Sequence, residues 1–368
     1  MRLTFVIFSL SSGGAERVMS TMANYWAHRN WPVTLLTLED GREPPFYRLE
    51  RKVVHVPLGI AGASNGPLRG ILNNLNRIRA LRKAIRRSKP ETVISFMDAV
   101  NILTLTATIG TGLPVIVSER IDPAFNPVGR VWRFLRRRVY PLASCVVVQT
   151  EAAGAFFAPR IRRRTRVIPN PVVAPPSVMT PSSDRRRKQI VAMGRLHRQK
   201  GFDLLLNAFA RVAPRFPDWS LTVWGEGEER ASLEELRNQI GLTDRVNFPG
   251  RTTDPLGKLR ESDVFVLSSR FEGFPNVLCE AMACGLPVIS FDCPSGPSTI
   301  IRNGTDGLLV PAGDTSALAA AMERLMSEET ERKRLRSHAV EVVERFGLKK
   351  VMEMWETVLE QAVNPKSS

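Results

Sequence analysis

Ile190-Val191-Ala192-Met193-Gly194-Arg195-Leu196-His197-Arg198-Gln199-Lys200-Gly201 reads as a short apolar strand, a glycine-opened basic turn and the approach to a helix. A strand that leaves through a loop into a helix is the repeating unit of a parallel sheet, because parallel neighbours need a crossover between them. The same alternation runs downstream through Leu221–Trp224, Val246–Phe248, Val264–Leu267, Pro287–Phe291 and Leu308–Val310. Upstream it recurs in Leu3–Leu10, Val33–Leu38, Val53–Val56, Thr92–Phe96, Val115–Ser118 and Cys145–Gln149, with helical stretches between most of them.

Between the two series lies a proline-rich segment, Pro169-Asn170-Pro171 through Pro175-Pro176 to Pro181, then the basic run Arg185–Lys188. Its prolines break both helix and ladder. The expected organisation is α/β with two Rossmann-like domains facing a cleft. Residues 1–170 form the N-terminal domain, 171–187 a Pro-rich and basic linker, 188–345 the C-terminal domain, and 346–368 a C-terminal helix and tail that packs back on the first domain. A length of 368 residues suits two domains, and 43% hydrophobic against 24% charged residues is a globular composition.

Charge is divided unevenly. Of 52 Lys+Arg and 36 Asp+Glu, residues 1–170 hold 26 basic and 10 acidic, so the remainder is balanced and the net +16 belongs to the first half. An anionic partner is implied, whether nucleic acid, an anionic membrane surface or a phosphorylated substrate. Between Leu68 and Lys89, apolar residues Leu68, Ile71, Leu72, Leu75, Ile78, Leu81 and Ile85 recur at helical spacing. Cations crowd the same stretch, Arg77, Arg82, Arg86 and Arg87 among them, and no acidic residue occurs between Lys52 and Glu91. Such a helix suits an anionic membrane or the diphosphate of a lipid-linked acceptor. The basic stretch Leu68–Lys89 and the runs Arg136–Arg138 and Arg162–Arg164 contain no aromatic residue, and no RNA- or DNA-binding motif is recognisable, so no nucleic-acid partner is expected.

Cys145, Cys279, Cys284 and Cys293 form no CxxC pair and have no histidine at metal spacing, so four reduced thiols and no zinc are expected. The N-terminus reads as a first strand, not a signal peptide, because a glycine turn and a charged pair follow its apolar run. The stretch Ile102 to Val117 is interrupted by threonines, glycines and Pro114 and falls short of a spanning helix.

Three segments carry candidate chemistry. Ser11-Ser12-Gly13-Gly14-Ala15-Glu16-Arg17 ends the first strand and enters a helix, as an anion or sugar cradle does. Arg195 and Lys200 lie at the mouth of a parallel strand, where two cations can bracket a diphosphate. In Arg270-Phe271-Glu272-Gly273-Phe274-Pro275-Asn276-Val277-Leu278-Cys279-Glu280, Glu272 precedes a turn and Glu280 sits inside an apolar helix, where a carboxylate needs a partner.

Taken with the run Glu272–Ile289 and the segment Asp292-Cys293-Pro294-Ser295-Gly296-Pro297-Ser298, these motifs resemble glycosyltransferase family 4, retaining enzymes of GT-B fold. The resemblance runs from Leu3 to about Arg345 and is nearest to bacterial members that extend lipid-linked or polysaccharide-repeat oligosaccharides. It implies transfer from a nucleotide-sugar, with UDP as carrier, at the inner face of the membrane. Arg195 and Lys200 are then expected on the donor pyrophosphate, Glu280 on the ribose, Glu272 with Gly273, Phe274, Asn276 and Val277 beside the donor, and Gly14 facing the same site. Gly194, Gly225, Glu226 and Arg251 complete the donor set. Asp98 and Glu119, with Arg77, Arg82, Arg86 and Arg87, are placed on the acceptor or membrane side.

Two positions depart from the pattern: Thr299 stands where relatives often carry Glu, and the strand end Ser95-Phe96-Met97-Asp98 lacks a histidine that several relatives have. His197 is read as a solvent-facing spacer in its segment, with a catalytic role as the alternative. A sugar phosphorylase or nucleotide-sugar epimerase shares the architecture, but the Glu272–Glu280 run with Gly194–Gly201 favours the transferase. No Asp has another Asp two residues on, so the D-x-D metal motif is absent and no cofactor is expected beyond the co-substrate. Activity should therefore survive excess EDTA; loss on chelation, restored by Mg²⁺ or Mn²⁺, is the contrary result.

Overall fold

The computed structural model describes residues 1–62, 67–125, 128–175 and 188–364, with backbone alone at 67–69. The proline-rich segment from Pro176 onward and the basic residues 185–187 lie outside the described residues, as does the side chain of Leu68. The chain divides into two compact units, Met1–Asn170 with Val351–Ser368, and Pro171–Lys350.

In the first unit, β1 (Leu3–Ile7), β2 (Val33–Thr37), β3 (Val53–Pro57), β4 (Thr92–Phe96), β5 (Val115–Ser118), β6 (Cys145–Val148) and β7 (Thr165–Val167) form one parallel sheet in the order β3-β2-β1-β4-β5-β6-β7. Leu3 is in register with Val33 on one side and Thr92 on the other. The strands β1, β4, β5 and β6 are buried along their whole length, which is why they read as unbroken β-branched runs without alternation. The short edge strand β7 escapes a pattern search because Thr165-Arg166-Val167 is three residues long and follows Arg162–Arg164.

The second unit repeats the plan with β8 (Lys188–Met193), β9 (Trp219–Trp224), β10 (Val246–Gly250), β11 (Val264–Leu267), β12 (Val288–Asp292) and β13 (Leu308–Pro311), ordered β10-β9-β8-β11-β12-β13. Successive side chains leave opposite faces of the sheet. Ile190, Ala192, Val264 and Val266 accordingly join one apolar cluster with the helix Phe202–Val212, while Val191, Phe265 and Leu267 join another with the helix Asn276–Ala283. Val172 belongs to this unit: its N–H donates to the Phe346 carbonyl at 2.8 Å.

The helix Leu348–Val363 ends in the first unit, as the sequence anticipates for the C-terminal segment. Trp355 is fully buried there, its ring centroid 6.3 Å from that of Phe96. Glu356 Oε1 accepts hydrogen bonds from Trp26 Nε1 at 3.1 Å and Arg29 Nη1 at 2.6 Å. Trp355→Ala should thus cost about 3–5 kcal/mol by loss of burial and creation of a cavity, read as a shift of the urea midpoint at unchanged slope.

Candidate active site

In an open parallel sheet the loops that follow the strands gather at one edge, where such folds bind ligands. In the second unit, β8 leads into Gly194–Gly201 and β11 into Ser268–Pro275, and the two loops are tied together. Arg270 N donates to Gln199 O at 2.7 Å, Gln199 Nε2 to Phe271 O at 2.9 Å, and Ser268 Oγ to Lys200 O at 2.9 Å. Arg270 holds Asp203 through both guanidinium branches, at 2.8 and 2.7 Å, and this pairing keeps the Asp203 carboxyl below its ordinary range despite partial burial. Gly201 has φ 61°, and a side chain there would run into the Ser268 carbonyl. Gly225 has φ 150°, and a Cβ would strike the Gly194 carbonyl. Both positions need glycine because backbone meets backbone.

Within this frame Lys200 Nζ lies 2.6 Å from Glu272 Oε1, and the same oxygen accepts from Ser269 Oγ at 2.6 Å. The Glu272 side chain is 7% exposed and that of Lys200 19%, so the pair is shielded from solvent screening. Arg195 behaves differently: 67% of its side chain is exposed, and its nearest recorded carboxylate, Glu228, is 3.9 Å away. His197 is no spacer, because its Nδ1 accepts from Gln199 N at 3.1 Å, capping the turn Arg198–Lys200, and its Nε2 lies 3.3 Å from Glu228.

After Glu272, Gly273 O comes 2.8 Å from where a Cβ on Gly296 would sit, and Phe274 is buried against Phe346 with ring centroids 5.4 Å apart. Asn276 and Val277 open the helix Asn276–Ala283, and Glu280 is buried within it. Glu226 belongs, by the family resemblance, to the donor set. It is engaged with Arg230, at 2.8 Å from Nε and 2.5 Å from Nη2, which holds its carboxyl low. Arg251 is exposed just after β10.

The first unit holds a second group at the corresponding edge. Glu119 follows β5 directly and is 4% exposed. Its Oε1 accepts from Tyr140 at 2.5 Å and stands 3.8 Å from Arg136 Nη1. Asn101 Nδ2 donates to Tyr140 at 3.2 Å and Ser118 O at 3.0 Å, while its Oδ1 accepts from Ser95 at 2.8 Å. Burial pushes the Glu119 carboxyl up to about 7; the Asp98 carboxylate adds to the rise, and the Tyr140 hydrogen bond and Arg136 oppose it. Arg120, also buried, is lowered to about 9 and lies over the Phe96 ring at 4.4 Å. Asp98 opens the helix Asp98–Thr108 after Met97, a non-glycine residue held at φ 78°. Strain of this kind persists only where the surroundings enforce it. Gly14 opens the helix Gly14–His28, and the Glu16 carboxylate folds back over Gly13, where burial raises its pKa.

The basic helix, Pro67–Ser88, divides in two. Leu81 and Ile85 are buried in the core, whereas Ile71, Leu72 and Leu75 are 60%, 60% and 43% exposed. Arg77 is tied to Ile60 O, Gly62 O and Asn74 Oδ1, and Arg82 to the carbonyls of Ala107 and Ile109 at 3.1 and 2.9 Å, so part of the hydrogen-bonding capacity of each is spent within the first unit. Arg86 and Arg87 are exposed and, with Arg79, Arg82, Lys83 and Lys89, line a pocket of about 580 Å³. Residues to which sequence reading gives no role are Ser269, Asn101, Arg136 and Tyr140, and Arg270 enters it only as the start of its segment. Arg270, Arg136 and Tyr140 act through partners distant in sequence, while Ser269, three residues before Glu272, carries no motif of its own. Among the described residues no group of His, Cys, Asp or Glu is arranged to hold a metal ion, and no helix is long and apolar enough to cross a membrane. All four cysteines are free and buried.

Two parallel-sheet units with charged loops at the strand ends define the GT-B class of fold. Residues 13–171 match the family described as "Glycosyl transferase 4-like domain", and residues 187–328 that described as "Glycosyl transferases group 1". The chain belongs to this glycosyltransferase family and is a transferase enzyme. It is 29% identical, over 99% of both chains, to a Campylobacter jejuni protein named GalNAc-α-(1→4)-GalNAc-α-(1→3)-diNAcBac-PP-undecaprenol α-1,4-N-acetyl-D-galactosaminyltransferase. It is 26% identical to an amylovoran biosynthesis glycosyltransferase of Erwinia amylovora, over 97% of this chain and 99% of that one. Among solved structures, an Anabaena protein in complex with UDP and glucose shares the fold at TM-score 0.79 and 19% identity, over 97% of this chain and 99% of that one. Sucrose-phosphate synthase from Thermosynechococcus elongatus does so at 0.83 and 20%, over 98% of both.

The raised Glu119 carboxyl has a consequence for stability. Below its ordinary value of 4.5 the group is protonated whether the chain is folded or not. Above that the unfolded chain ionises first, so the folded state loses stability as pH rises from 4.5 to about 7, by up to about 3 kcal/mol. Glu119→Gln keeps an oxygen for Tyr140 and removes the titration. Its melting temperature should exceed that of the parent at pH 8 by more than it does at pH 5; an equal difference at both would show that Glu119 does not titrate in this window.

Proposed function

We propose that the protein is a retaining, metal-independent glycosyltransferase that moves a hexose or N-acetylhexosamine from a nucleotide-sugar, with UDP as carrier, to a lipid-linked or polysaccharide-repeat glycan at the inner face of the membrane. The observation that carries this reading is the Lys200–Glu272 pair, 2.6 Å apart and mostly shielded at the loop edge of the second sheet. A cation already fixed in place does not have to reorganise when negative charge develops on a leaving diphosphate, and that is where such a charge lowers a barrier most. Arg195, exposed and loosely paired, is suited to close on the same diphosphate. Glu280, buried in its helix, is assigned to the ribose hydroxyls, with Gly194, Gly225, Glu226 and Arg251 around the nucleotide and Gly273, Phe274, Asn276 and Val277 beside the sugar.

On this reading Glu272 orients Lys200 and stabilises charge without acting as nucleophile. The departing phosphate oxygen takes the acceptor's proton in a same-face substitution. Gly14, Asp98 and Glu119 are assigned to the sugar and acceptor side, and the cationic pocket with Arg86 and Arg87 to acceptor diphosphate or lipid headgroups. Support for the acceptor class comes from the Campylobacter relative, whose name specifies an undecaprenyl-diphosphate-linked glycan. Support for UDP comes from the shared fold of the Anabaena complex. The excess cations of the first unit suit an anionic partner, and the apolar residues exposed on the cationic helix, Ile71, Leu72 and Leu75, favour a membrane surface over nucleic acid.

Arg195→Ala should lower turnover at least about tenfold with an unchanged melting temperature, since the side chain lies in solvent. Lys200→Ala should lose as much turnover and also about 2 kcal/mol of stability, because it leaves the buried Glu272 carboxylate, among the described residues, with the Ser269 hydroxyl alone. Near-parental turnover in both variants, measured with a panel of UDP- and GDP-sugars, overturns the donor assignment.

A further inference from the structure

The helix Arg130–Val139 has an inner and an outer side that differ sharply. Trp132, Leu135 and Val139 pack inward, and Arg136 is buried beside Glu119. At 100° per residue the outer side carries two adjacent stripes, Val131, Phe134 and Arg138 on one, Arg130, Arg133 and Arg137 on the other. Val131 is 70% exposed and Phe134 56%, and the Arg138 guanidinium lies 5.0 Å from the Phe134 ring centroid. The helix contains no acidic residue, and among the described residues no carboxylate pairs with any of its four outer arginines. Isolated exposed apolar residues are ordinary on a protein surface; two of them within one turn, framed by unpaired cations, are not.

Helices Pro67–Ser88 and Arg130–Val139 both pack on helix Asp98–Thr108, so the three form one layer over the first sheet. The outer helices of this layer each expose apolar residues beside cations: Ile71, Leu72 and Leu75 on one, Val131 and Phe134 on the other. Long arginine stems can lie along an apolar surface while their heads stay in a polar one. That combination suits the boundary of a bilayer with anionic headgroups, where the apolar side chains enter the acyl region and the guanidinium groups meet phosphate.

We propose that this helical layer is a membrane-docking face with two insertion points, and that Phe134 and Val131 enter an anionic bilayer as the second of them. The inference deepens the membrane-side acceptor reading, from which it takes its purpose, but it stands on the surface of the first unit alone. Docking by two separated helices fixes an orientation on the bilayer, which a single basic helix does not.

The test is co-sedimentation of the full chain with vesicles of phosphatidylglycerol and phosphatidylcholine, and with phosphatidylcholine alone, beside retention of RNA at physiological salt. The parent should bind the anionic vesicles. The paired substitution Val131→Ser with Phe134→Ser should weaken that binding about tenfold with unchanged circular dichroism and melting, because both side chains are exposed. Arg137→Gln with Arg138→Gln should weaken it by a similar factor, and the difference should shrink as salt rises. Parent-like vesicle binding by the serine variant overturns the insertion, and so does equal parent binding to phosphatidylcholine alone or binding to RNA in place of vesicles. Nucleotide-sugar binding by calorimetry is run alongside: its absence in the parent sinks the donor reading and leaves the docking result standing.

Discussion

Strands that all run the same way cannot be joined by tight turns, and this one constraint orders both units. Each crossover helix covers a face of its sheet, so apolar side chains go to the faces and what remains for polar chemistry is the edge where strands hand over to helices. Asp98 and Glu119 follow β4 and β5 in the first unit, and Lys200 and Glu272 follow β8 and β11 in the second. Those strand pairs are hydrogen-bonded neighbours in their sheets, so groups more than seventy residues apart in the case of Lys200 and Glu272 come within 2.6 Å.

At that edge the backbone itself becomes part of the site. Gly225 against the Gly194 carbonyl and Gly201 against the Ser268 carbonyl allow loops from three strands to pack with no side chain between them. The result is a floor of main chain on which a few charged groups are held by hydrogen bonds of 2.6 to 2.9 Å. Arg195 lies outside this lattice, so the second unit combines a shielded cation with a solvent-exposed one.

Fold was legible because buried parallel strands leave continuous β-branched runs: Thr92–Phe96, Val115–Ser118 and Val264–Leu267 coincide with β4, β5 and β11 to the residue. Charged loop residues were legible because glycine and cation spacing after a strand is local. Partners were not. Tyr140 and Arg136 meet Glu119 only once a helix and a turn have brought them back, and Ser269 is an unremarkable serine until its hydroxyl is 2.6 Å from Glu272. The apolar stripe of Pro67–Ser88 shows the same limit, since periodicity gives a face but not what covers it. Only the second half of that face is buried.

The position of Trp355 bears on how the protein is made. It belongs to the first unit, yet the chain must pass through all of Pro171–Lys350 before it is synthesised. While a ribosome is at work, the surface around Trp26 and Phe96 stays uncovered until the last helix emerges, by which time the second sheet is already available to fold. Domains that complete themselves in order can bury their apolar surface as they appear. Here the earlier unit is finished last, so the growing chain exposes a patch of aromatic surface for the time needed to translate about half the protein, and a chaperone that recognises such surface has that interval in which to bind.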